Sequence, residues 1–87
     1  MSAHWQLVLD EIPLRFLFSR PAAQRRILFA ALDALKLDPY AEPHFRSQDS
    51  AGRELSLRAA RPFVFTYWLD ASVKEVRVID IELLTIQ

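Results

Sequence analysis

Polar and apolar positions alternate most clearly in the second half of the chain, from residue 52 to residue 84. This stretch contains three segments with a period of two, which is typical of β-strands that bury one face and leave the other open. Residues 59–62, which include a proline, and residues 70–72 separate the segments and have the composition of turns. The pattern therefore predicts three consecutive antiparallel strands.

The same alternation predicts which face of these strands is buried. The odd positions from 55 to 69 are the more apolar set, and apart from the arginine we expect them to be buried: Leu55, Leu57, Ala59, Arg61, Phe63, Phe65, Tyr67 and Leu69. The even positions then lie on the open face, where Arg58, Thr66 and Trp68 would meet beside Val64. We expect any activity on that face.

The last strand, residues 75–84, changes its parity near Val78. Val76 and Val78 belong to one parity, and the isoleucines and leucine that follow belong to the other. This change indicates either a strand buried on both faces or a β-bulge, and it favours a central place in the sheet.

The first half of the chain predicts one short strand and two helices. Trp5, Leu7 and Leu9 alternate with more polar neighbours, which is typical of a strand. Asp10 followed by Pro13 is a helix-start signal, and the residues after it are apolar as far as Phe18. A second helix is predicted from about residue 21 to residue 37.

The second helix has an apolar arc when its residues are placed 100° apart. The arc contains Ala23, Ile27, Ala30, Ala31, Ala34 and Leu35, with Leu28 and Leu32 at its edge. Phe29 falls in the opposite, charged arc, so it is either a surface aromatic, a residue covered by the following loop, or a contact for a partner. The connection after the helix, residues 38–51, is long enough to be functional, mobile or to hide a short strand.

Length and composition limit the fold. Eighty-seven residues with 52% hydrophobic side chains and a single glycine indicate one compact domain, residues 1–87. We predict an α+β fold, in which a small antiparallel sheet of about four strands carries a two-helix hairpin on one face. Such a small core is marginally stable, so a partner chain or self-association is expected.

The charge balance and the residue types present limit the classes of function that are expected. Eleven basic residues balance eleven acidic ones, which argues against strong non-specific attraction to nucleic acid. The chain has no cysteine, no visible secretory signal and no apolar run approaching the roughly 18 residues of a membrane helix. We therefore predict a cytoplasmic protein with no metal and no cofactor.

Several local sequences, together with the predicted order of elements, resemble the RelE/ParE toxin superfamily of bacterial type II toxin–antitoxin systems. They are Leu35-Lys36-Leu37-Asp38-Pro39, Gly52-Arg53, Phe63-Val64-Phe65-Thr66-Tyr67-Trp68-Leu69-Asp70 and Val76-Arg77-Val78-Ile79-Asp80-Ile81. The resemblance implies a toxin component neutralised by an antitoxin whose C-terminal segment wraps it. The molecular target that it implies is either ribosome-bound mRNA or DNA gyrase.

The chain departs from this family in the strand motif, where an aromatic residue is normally followed by arginine. Val64 stands in the place of that arginine, and Arg58 is the best substitute because it is predicted on the same face. The family's ribosome-dependent RNases also carry a basic or tyrosine-bearing tail, which residues 84–87 lack. An mRNA endoribonuclease activity is therefore left open.

RNA cleavage needs a proton acceptor, a proton donor and positive charge near the phosphate. The candidates are Arg53, Arg58, Arg61 and the loop residue His44, against the alternative that these are solvated charges and an ordinary loop histidine. The candidates for binding a partner are Trp68, Val64, Thr66 and Phe29. A second hypothesis is a non-catalytic interaction module, with a homodimer among its forms, that retains the fold without toxicity.

Overall fold

The computed structural model describes residues 4–84 as one sheet and two helices. The elements are β1 (Gln6–Leu9), α1 (Glu11–Ser19), α2 (Ala22–Leu37), β2 (Phe45–Gln48), β3 (Glu54–Ala60), β4 (Phe63–Asp70) and β5 (Glu75–Leu83). The predicted α+β class and the helix pair are confirmed. The sheet has five strands rather than four, because the connection after α2 contains the short strand β2.

The strands lie in the order β1-β5-β4-β3-β2. Strands β2 to β5 are antiparallel to their neighbours, whereas β1 is parallel to β5. The prediction of a wholly antiparallel sheet is therefore wrong at the β1 edge. Strand β1 is followed by helices instead of a tight turn, so no hairpin forces an antiparallel neighbour on it.

Strand β5 is central in the sheet and contains the bulge that its sequence pattern indicated. Tyr67 pairs with Val78 and Thr66 pairs with Asp80, so Ile79 has no partner on β4. The extra residue reverses the parity of the strand, which places both Val78 and Ile81 in the core.

Both helices pack on one side of the sheet, which we call the helix-bearing face. Its core contains Leu17, Leu28, Leu32, Leu35, Phe63, Phe65, Tyr67, Val76, Val78 and Ile81. We call the other side the open face, because none of the described helices or strands packs against it. Within residues 4–84, neither helix is long and apolar enough to cross a membrane.

Helix α2 is turned so that one edge of the predicted apolar arc faces the sheet. Leu35, which the arc contained, is buried, and so are Leu28 and Leu32 from its edge. Ala31 has intermediate exposure, whereas Ala23, Ala30, Ala34 and Ile27 are exposed, the last by 39%. Turning three leucines inward removes more apolar area from water than turning the alanines inward, which explains the rotation.

The face assignment of β3 was also wrong. The turn between β3 and β4 contains only Arg61 and Pro62, so Ala60 pairs with Phe63 and Arg58 pairs with Phe65. Directly paired residues point to the same face of a sheet. Odd positions of β4 therefore share a face with even positions of β3, and Arg58 lies on the helix-bearing face instead of beside Trp68.

Candidate functional site

The centre of the open face is apolar. The register places Leu57 beside Thr66 and Phe45 beside Leu57, and it places Val64 beside Ala59. Phe45 is 65% exposed, and the others have intermediate exposure. This surface is a continuous apolar strip across β2, β3 and β4, of the kind that marks a site of protein interaction.

Two arginines lie around Trp68 at one end of the open face. The Cζ atom of Arg53 lies 4.1 Å from the centroid of the Trp68 ring, and that of Arg77 lies 5.7 Å from it. Both guanidinium groups are therefore within the range of a cation–π interaction. Each also has a nearby carboxylate, since Arg77 is 3.1 Å from Glu75 and Arg53 is 3.9 Å from Asp49.

The hairpin between β2 and β3 positions Arg53. The Asp49 carboxylate accepts hydrogen bonds of 2.9 Å from the backbone N–H groups of Ala51 and Arg53. Gly52 has a φ of +83°, a left-handed value that glycine adopts without steric cost. The turn sets the direction of the backbone at the start of β3, where the Arg53 side chain lies over the indole ring of Trp68.

The β5 side of the open face is acidic beside Thr66 and Val64. Asp80 pairs with Thr66 and Glu82 pairs with Val64, so the two carboxylates lie on the same face and near one another. Hydrogen bonding to Asp80 and the negative charge of Asp80 raise the pKa of Glu82 above its ordinary value. No salt bridge joins either carboxylate to a basic side chain within residues 4–84.

The three arginines predicted to form one catalytic group lie in separate places. Arg53 is on the open face beside Trp68, Arg58 is on the helix-bearing face, and Arg61 is exposed in the turn after β3. Arg53 and Arg61 are eight residues apart along an extended strand, which corresponds to about 27 Å. They therefore cannot contact one phosphate group together.

Arg58 instead contributes to a polar cluster on the helix-bearing face. Burial raises the pKa of the Tyr67 phenol, while the charge of Arg58 and hydrogen bonding with Ser56 and Arg58 act in the opposite direction. The net shift is upward, so Tyr67 stays protonated at neutral pH and is a poor general base. The prediction that Tyr67 is a core residue is confirmed by its burial.

A shallow cavity of about 160 Å³ adjoins this cluster. It is lined by Pro39, Tyr40, Ala41, Pro43, Arg46, Glu54, Ser56, Tyr67 and Leu69. Arg46 is already held by Glu54 at 2.8 Å and by Glu42 at 3.2 Å. Its charge is therefore largely neutralised within the protein.

His44 has a structural contact at the edge of the sheet. The ring Nδ1 of His44 accepts a 2.9 Å hydrogen bond from the backbone N–H of Ala59, and the backbone N–H of His44 donates to the carbonyl of Leu57. Because Nδ1 is an acceptor, the proton of the neutral ring is on Nε2. The ring anchors the loop before β2 to β3, as an ordinary loop histidine does.

The predicted partner contacts fall into two groups. Trp68, Thr66 and Val64 share the open face, as the sequence pattern indicated. Phe29 is 46% exposed on α2, on the other side of the sheet. A partner that touches Phe29 and the open face must therefore wrap around the molecule.

Sequence reasoning missed Leu55, Leu57 and Phe45 as surface residues of the open face. The signal that identifies them is the length of the turn after β3. In a two-residue hairpin the residues that flank the turn are paired, so the parity of the buried face must switch between the strands. The prediction assumed one uninterrupted alternation over residues 55–69, so it did not include this change of parity between β3 and β4.

This order of strands, with a helix pair on one face of a five-stranded sheet, defines a RelE-like fold. The structure is similar to one chain of an archaeal RelE–RelB complex from Pyrococcus horikoshii OT3, with a TM-score of 0.77 and 12% sequence identity. The similarity covers 98% of this chain and 100% of the other. At this identity it shows the fold.

No protein-family model matches the chain, and no curated protein matches it. The RelE-like fold that the short sequence motifs implied is confirmed by the similarity in three-dimensional structure over nearly the whole chain.

Proposed function

We propose that this protein is the RelE-like toxin component of a toxin–antitoxin pair and that an antitoxin binds the open face of its sheet. The observation that carries the proposal is the apolar strip through Phe45, Leu57 and Val64, which none of the described elements covers. The solved structure with the same fold is a RelE–RelB complex, which supports a partner protein of the antitoxin type.

The residues of the open face favour binding over RNA cleavage. Its described charged groups are two arginines that stack on Trp68, carboxylates beside those arginines, and the carboxylates of Asp80 and Glu82 on β5. Val64 stands where the family motif has arginine, and Arg58 points away from this face. Because both open-face arginines lie beside carboxylates, the described part of this face offers less positive charge to a phosphate than the family motif does.

A toxin that acts by binding is consistent with a protein target such as DNA gyrase, whereas cleavage of ribosome-bound mRNA would need a positive charge that Val64 does not supply. The second candidate function is a module that retains the fold and the partner but not the toxicity. The replacement of arginine by Val64 is the observation that favours it.

Growth of a bacterial host after tightly controlled induction of this chain tests the proposal. We expect arrest of growth, and relief of that arrest when the product of the neighbouring reading frame is induced with it. Folded, soluble protein with normal growth would contradict the toxin assignment and support the non-toxic module. Incorporation of labelled amino acids and the supercoiling of a reporter plasmid then distinguish translation from gyrase as the target.

A further inference from the structure

The side of α2 that points away from the sheet is apolar, and we call it the outer face of α2. Five residues lie on it and all are exposed: Ala23, Ile27, Ala30, Ala34 and Leu37. Leu37 is 86% exposed, the largest value among the large hydrophobic side chains of residues 4–84. The solvent side of a surface helix is ordinarily polar, so this face has the composition of a contact surface.

The spacing of these residues indicates what kind of element they contact. They are separated by four, three, four and three positions, which is the seven-residue repeat of helices that pack along one another. Leu28, Leu32 and Leu35, which face the sheet, occupy other positions of the repeat. Helix α2 therefore has one apolar side for the sheet and a second apolar side for another helix.

Two opposite charges flank the outer face along one side. Arg26 and Asp33 are seven residues apart, so they occupy the same position in successive repeats. Both are exposed, and neither forms a salt bridge with another residue of the described range 4–84. The residues at the matching positions on the other flank, Gln24 and Ala31, are uncharged.

This charge pattern is complementary to itself. When two copies of α2 lie antiparallel about a two-fold axis, Ile27 of each copy packs against Ala30 of the partner subunit, so a large side chain meets a small one. In that arrangement Arg26 of each copy and Asp33 of the partner subunit differ in level by two residues, or about 3 Å. Two symmetric pairs of opposite charge then close one side of the contact.

The other ways of pairing two copies of this helix bring like charges together. Sliding the antiparallel helices by one repeat places Asp33 opposite Asp33 of the partner subunit, or Arg26 opposite Arg26 of the partner subunit, according to the direction. A parallel pair places Asp33 opposite Asp38 of the partner subunit. Like charges at an interface disfavour these arrangements and leave the central antiparallel one.

We propose that two copies of this chain associate through the outer faces of α2, antiparallel about a two-fold axis, with Arg26 of each copy paired with Asp33 of the partner subunit. The resulting dimer has the layer order sheet, helices, helices, sheet. Both open faces lie on the outside of the dimer, so the inference does not rest on the proposed function and leaves each open face accessible.

The size of the contact indicates how strong the association is. Helix α2 has 16 residues and is about 24 Å long, so a single pair of such helices forms a modest interface. Leu14 and Phe18, exposed on α1 by 39% and 66%, add apolar surface in the same layer. We expect a reversible dimer whose population rises with the concentration of the protein.

Sedimentation equilibrium of the full chain tests the association. The average mass should rise from that of one chain toward that of two as the concentration increases. A mass of one chain at every concentration up to about 1 mM, the range of a weak specific contact, would overturn the proposal.

Charge exchange tests the arrangement of the helices. Arg26→Asp and Asp33→Arg, each made alone, should raise the Kd of the dimer about tenfold, because each change places two pairs of like charges in the contact. An equimolar mixture of these two variants should form a heterodimer with nearly the wild-type Kd, since both flanking pairs are again opposite in charge. Unchanged Kd values in the single variants, or a mixture that associates no better than either variant alone, would overturn the antiparallel pairing.

Lys36→Glu is the matched control for charge reversal. Lys36 is exposed on α2 but lies off the outer face, so its reversal should leave the Kd of the dimer unchanged. Circular dichroism of each variant verifies that the domain is folded. An equal rise in Kd for Lys36→Glu and Arg26→Asp would mean a general charge effect and would contradict the pairing.

Ala30→Arg distinguishes a second copy from a different occupant of this face. A charge at the centre of the outer face should abolish the dimer while leaving relief of growth arrest by the open-face partner intact. Retention of the dimer together with loss of that relief would assign the outer face to the other partner and refute self-association. Absence of growth arrest would refute the toxin assignment and leave the dimer measurement unaffected.

Discussion

Substitution of Leu57 by arginine should weaken capture of the partner by about 30-fold or more while leaving the domain folded. Leu57 lies at the middle of the apolar strip, between Phe45 and Thr66, and faces away from the core. A charged head group there must be desolvated when the partner binds, which costs on the order of 2 kcal/mol or more, equivalent to about 30-fold in affinity. In the free protein the long side chain extends into solvent, so the free energy of unfolding should change by about 1 kcal/mol or less.

Arg58→Gln is the matched control for Leu57→Arg. It is the next residue along β3 but points to the helix-bearing face opposite Phe65. Partner affinity, measured by titration calorimetry, should be nearly unchanged in this variant. If Arg58→Gln lost affinity for the partner while Leu57→Arg retained it, the functional face would be the helix-bearing one.

The largest effect on stability is expected at Leu28. Its side chain is fully buried between α2 and the sheet, and truncation of a buried leucine to alanine typically costs about 2–5 kcal/mol. A domain of 87 residues has a total stability of roughly 4–13 kcal/mol, so Leu28→Ala removes a large part of it. Urea denaturation followed by circular dichroism measures the change.

Ile27→Ala is the matched comparison on the same turn of α2. Ile27 is 39% exposed, and alanine is the better helix former, so the free energy of unfolding should change by no more than about 1 kcal/mol. Equal losses of the free energy of unfolding in Leu28→Ala and Ile27→Ala would contradict the observed packing, in which Leu28 rather than Ile27 faces the sheet. A larger loss in Ile27→Ala than in Leu28→Ala would instead support the centre of the apolar arc predicted from the sequence pattern.

Much of the fold follows from local sequence patterns. The period of two in β4, with Phe63, Phe65 and Tyr67 inward, identified a strand and its buried face correctly. The change of parity in β5 indicated either a strand buried on both faces or a bulge, and the structure has a bulge at Ile79. These features depend on alternation within one strand, which the sequence records directly.

The errors arose where two elements had to be related to each other. The side of α2 that faces the sheet depends on which apolar residues gain most from burial, and Leu28 gains more than Ala30. The face of Arg58 depends on pairing with Phe65 across a two-residue turn. The parallel placement of β1 likewise depends on β5, about 70 residues away in the chain.

The candidate site was predicted only in part for the same reason. Trp68, Thr66 and Val64 were placed together because they share one strand. The charged residues around this strand come from two other segments, since Arg53 precedes β3 whereas Arg77, Asp80 and Glu82 lie on β5. Their arrangement depends on the hairpin at Gly52 and on the bulge at Ile79, so it emerges only in three dimensions.

Quenching of Trp68 fluorescence by acrylamide tests most directly whether a partner covers the open face. The Trp5→Phe variant leaves Trp68 as the only tryptophan of the chain. We predict that saturation with the partner that relieves growth arrest lowers the quenching constant of Trp68 several-fold, because a partner on the open face excludes acrylamide from the indole. A quenching constant that is the same in the free and bound protein would contradict binding at the open face.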